Sequence, residues 1–158
     1  MNSGKFIGRD IAIGLLFLFI QILLIRHLII WNLQTDIIFV FFLWLATARE
    51  RTHALLVTAV VAFFADILLD TWGIRLFAST LVVLLSHGFL YDPNEQKLSP
   101  GGIFITVLIV SLIYQLFYLL LATFGGMYIL DKTFFVYWIG NSVYISITAF
   151  IMYIIKPE

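Results

Sequence analysis

The chain has no cysteine, only three prolines, and a charged fraction of just 11%. Without cysteine it can form no disulfide, no thiolate metal site and no thiol nucleophile. Nine basic residues balance nine acidic ones, which leaves neither a basic surface for nucleic acid nor an acidic disordered tail. Catalytic signatures are missing too: there is no GxSxG elbow, no GxxxxGK[ST] or GxGxxG phosphate loop and no HExxH. Ser86 and His87 are neighbours, and neighbours on a helix point in different directions. His27, His53 and His87 are too scattered for the three or four converging ligands of a metal site. These absences argue against an enzyme and against any cofactor.

Apolar residues are abundant instead. Of 158 residues 63% are hydrophobic and 17% aromatic, and the mean hydropathy of +1.09 is averaged over the whole length. Soluble domains are roughly 45–50% apolar and about 25% charged, so the solvent of this chain is the bilayer. The expected fold is all-α, a single integral membrane domain of six transmembrane helices. The spans fall at about 11–30, 33–48, 54–70, 74–91, 103–124 and 134–155. Lys5 and Arg9 give a basic start, but the first apolar run is too long for a signal peptide and lacks a small-residue cleavage site, so it reads as a retained span. The second segment is the doubtful one, because Ile37 to Ala48 alone is short. The stretch from Ile11 to Ala48, about 57 Å as one helix, nevertheless suits two crossings better than one.

Lys5, Arg9, Arg49, Arg51, Lys97 and Lys156 fall on the side of the termini, against Arg26, Arg75 and Lys132 on the other. The positive-inside rule then puts both termini in the cytoplasm. Inside the third span Ala54, Thr58, Ala62, Asp66 and Asp70 recur every four residues and form one ridge. Small residues on it allow close helix approach, and a charge there needs a partner or a cavity. Asp36, Asp66, Asp70, Arg26 and Arg75 all belong to the outer side. They are expected to cluster at the outer mouth, with Arg75 paired to Asp66 or Asp70 across the turn that contains Gly73. The alternative is that each charge reaches lipid headgroups separately. Gln21, Ser86, His87, Ser111, Gln115, Asn141, Ser142 and Ser146 read as interhelical hydrogen-bonding residues, and Gly140, Ser142 and Ser146 as a close-packing face of the sixth span.

Several of these residues lie in a recognisable order. The helix entry Thr35-Asp36-Ile37-Ile38-Phe39-Val40, the Arg49-Glu50-Arg51 turn, the run Ala62-Phe63-Phe64-Ala65-Asp66-Ile67-Leu68-Leu69 and the element Trp72-Gly73-Ile74-Arg75-Leu76 resemble the rod shape-determining MreD family. An aspartate seven residues before Gly-Ile-Arg-Leu carries most of this resemblance. Thr35 stands where the family typically has proline, and Ala59 and Ala62 where it has glycines. The motif positions are Asp36, Asp66, Gly73 and Arg75. The resemblance implies a non-enzymatic scaffold of the bacterial inner membrane that binds the bitopic protein MreC. Through MreC it would serve MreB and the peptidoglycan synthases, and so cell shape. The family is also similar in fold to the substrate-binding subunits of energy-coupling-factor transporters, which implies the alternative of a small-molecule-binding subunit with a pocket at the charged cluster and Trp31 or Trp72. Such subunits dock through small-xxx-small patterns in the first span; Gly4, Gly8 and Ala12 have that spacing but lie at its very start. Phe39, Phe41, Phe42 and Trp44 of the second span are candidate contact groups for a partner helix, although aromatics facing lipid are equally ordinary.

Overall fold

The computed structural model describes residues 3–23, 36–90, 100–127 and 131–155. They form six helices: α1 (Ser3–Leu23), α2 (Ile37–Ala48), α3 (Arg51–Leu69), α4 (Ile74–Leu90), α5 (Pro100–Phe124) and α6 (Lys132–Ile155). The expected helical membrane bundle is therefore present. Four helices are long and apolar enough to cross a bilayer, with qualifying stretches at Phe6–Leu23, Arg51–Leu69, Gly101–Phe124 and Lys132–Met152. The other two are shorter. α2 has 12 residues and α4 has 17, or about 18 Å and 25 Å against a hydrocarbon core of about 30 Å. The part of the second span expected at 33–35 lies outside the described residues.

Side-chain bonds fix the relative direction of the first four helices. The start of α1, the end of α2, the start of α3 and the end of α4 meet through Asp10, Arg49, His53 and His87. The end of α1 and the starts of α2 and α4 meet through Gln21, Asp36 and Arg75. The four helices therefore alternate up and down.

α2 is the enclosed centre. It packs against α1, α3, α4 and α6, and Ile38 through Leu43, with Leu45 and Ala46, are buried. A helix hydrophobic on every side belongs in an interior, and this one has neighbours on four sides. That overturns the expectation that its aromatic residues are free for a partner: Phe39, Phe41 and Phe42 are core residues, and of the four only Trp44 is exposed, at 37%. Phe39 lies on the Tyr114 ring with centroids 3.8 Å apart, and Phe17 stacks on Phe41 at 5.4 Å.

Close approach of α1 depends on Gly14. A Cβ there would lie 2.6 Å from Val61 Cγ2 and 2.7 Å from Phe41 Cε1, whereas one on Gly8 would meet nothing. The small-residue contact of the first helix is thus at Gly14, and the face carrying Gly8 and Ala12 is turned outward. The α3 ridge behaves as its spacing predicts: Ala54, Thr58, Ala62 and Asp66 are all buried, while Phe63, Phe64, Ile67 and Leu68 face out. α5 and α6 pair through a seam of small hydroxyls. Ser111 Oγ donates to the Ser142 carbonyl at 3.2 Å and lies 3.3 Å from Ser146 Oγ, and Trp138 Nε1 donates to the Leu112 carbonyl at 2.8 Å.

Candidate functional site

Among the described residues the buried charged groups gather into two clusters, one at each end of α2. The first centres on Asp36, whose carboxylate caps α2 by accepting the Phe39 N–H at 3.2 Å. The same carboxylate binds the Arg75 guanidinium from α4 and accepts the Tyr114 hydroxyl of α5 at 2.9 Å. One carboxylate thus satisfies a helix start and joins three helices. Gln21 Oε1 of α1 adds a fourth by accepting the Ile38 N–H at 3.1 Å. The Arg75 guanidinium also lies over the Tyr118 ring, 5.7 Å from its centroid, a cation–π geometry. Its Nε, although buried, has no hydrogen-bond partner among the described residues.

Asp66 plays a different part from the one its sequence position suggests. Its carbonyl closes α3, accepting the N–H of Thr71 at 3.1 Å. Its carboxylate opens α4, accepting the N–H groups of Arg75 at 3.1 Å and Leu76 at 2.8 Å, and the Thr71 hydroxyl. The first N–H groups of a helix have no partner within it. Gly73 stands at the capping position of α4 and has no side chain to offer, so the preceding helix supplies the cap.

Of the expected outer cluster, the structure brings together Asp36 and Arg75, with Asp66 one bond away on the Arg75 backbone. The expected pairing of the Arg75 side chain with Asp66 or Asp70 is corrected: its partner is Asp36. The Asp66 oxygens are occupied by backbone N–H groups, and Asp70 leaves the ridge because the chain turns left-handed there, with φ 54°. Asp70 is exposed and makes no ion pair among the described residues. Gly73, with φ 81°, occupies the turn that returns the chain into α4. Arg26 and Trp31 lie outside the described residues.

The second cluster went unread in the sequence. Asp10 on α1 is completely buried and accepts two bonds from Arg49, Nε to Oδ2 at 2.8 Å and Nη2 to Oδ1 at 3.2 Å. His53 Nε2 donates to Oδ2 at 2.9 Å and Arg9 approaches Oδ1 at 3.5 Å. His87 Nε2 donates to the Arg49 carbonyl at 3.0 Å, which ties α4 to the same point. Phe6 lies under both Arg9 and Arg49, at 5.2 and 5.7 Å. A usable signal existed: Asp10, Gly14 and Leu18 are spaced by four, on the face that turns inward. It was hidden because the apolar run starts at Ile11, while the helix starts at Ser3.

What this arrangement does chemically is hold helices together. Each buried carboxylate is met by two or more donors, and among the described residues no three His, Cys, Asp or Glu side chains converge as metal ligands. Compared with family models, curated proteins and solved structures, the chain gives no match.

Proposed function

We propose that this chain is a non-enzymatic scaffold of the bacterial inner membrane, acting in cell elongation as the resemblance to the MreD family implies. Its partner is then the transmembrane helix of MreC, and through it MreB and the peptidoglycan synthases. The observation that supports this reading is the use to which the buried carboxylates are put. Asp10, Asp36 and Asp66 are all spent on helix-to-helix bonds and helix caps, which suits a rigid platform. A small-molecule-binding subunit, the alternative, would turn the outer cluster toward a ligand; here Asp36, Arg75 and Tyr114 face one another.

The test is co-purification in mild detergent. The tagged chain should retain full-length MreC, and should retain it equally when MreC is reduced to its transmembrane helix and flanking residues. Replacing that helix with an unrelated span should abolish recovery. Retention that ignores the exchange, or no retention at all, overturns the reading. Orientation is part of it: with six crossings and the basic residues inside, a reporter fused after Glu158 reads cytoplasmic, and a periplasmic reading removes that topology.

A further inference from the structure

We draw no further inference here: the strongest candidate, the open groove between the start of α4 and the end of α5 beside Trp72, Phe77 and Leu121, is walled by apolar residues and glycine alone, and nothing in the structure shows what covers it.

Discussion

The two clusters at the ends of α2 solve one problem by different means. Asp10 lies well past the first turn of α1, where backbone N–H groups are already used inside the helix, so its donors must be side chains. It draws on Arg49, His53 and Arg9. Asp36 and Asp66 instead serve helix starts, where unbonded N–H groups are available, and of the two only Asp36 also draws on a cation, the Arg75 guanidinium. A carboxylate buried in a helical bundle can thus be satisfied by cations or by borrowed backbone. Removal has different consequences in the two cases, because a lost cap exposes only N–H groups whereas a lost ion pair strands a charge.

Substitutions can break or sharpen that contrast. Arg75→Ala leaves the Asp36 carboxylate buried with only hydroxyl and backbone donors, and should cost about 3–5 kcal/mol, the usual penalty for breaking a buried pair. Unfolding of the purified bundle in detergent measures it, and adding Asp36→Asn should recover part of the loss. Losses that simply add would remove the coupling. Asp66→Ala combined with Arg75→Ala should add, since Asp66 binds the backbone of residue 75. At the other cluster Arg49 keeps 24% of its side chain exposed, so Asp10→Ala should cost less, about 1.5–3 kcal/mol for bonds to charged groups. A larger loss than at Arg75 would reverse the ranking of the two ends. Gly14→Ala, one turn from Asp10, drives a methyl into Val61 and Phe41 and should cost about 1–3 kcal/mol by overpacking; an unchanged melting temperature would mean that α1 does not depend on this approach. Smallest is Asp66→Ala, a lost cap at about 0.5–2 kcal/mol, with Asp66→Asn between it and the wild type.

Much of this was legible from spacing. Of the four-residue ridge read on α3, Ala54, Thr58, Ala62 and Asp66 are buried and Asp70 is exposed, and the helix entry at Asp36 is an N-cap. His87 was read as a hydrogen-bonded packing residue, which its bond to the Arg49 carbonyl supports. Two kinds of information were not legible. Pairing partners were not, because Arg75 is as close in sequence to Asp66 and Asp70 as Asp36 is distant, and only tertiary packing brings the distant one near. Nor was the orientation of α2, because a segment apolar on every side carries no periodic signal to distinguish lipid from protein. Asp10 falls between these cases: its ridge could be read once the helix was known to begin at Ser3.

The brevity and enclosure of α2 bear on how the chain enters the membrane. Twelve apolar residues are fewer than the roughly 17–25 that span a bilayer unaided, and both ends of this segment carry charged residues that lipid would reject unpaired. Asp36 finds its arginine on α4 and Arg49 its acid on α1. Biogenesis therefore cannot finish helix by helix: α2 acquires a stable place only when the ribosome has delivered α4, and the first four helices settle as one unit.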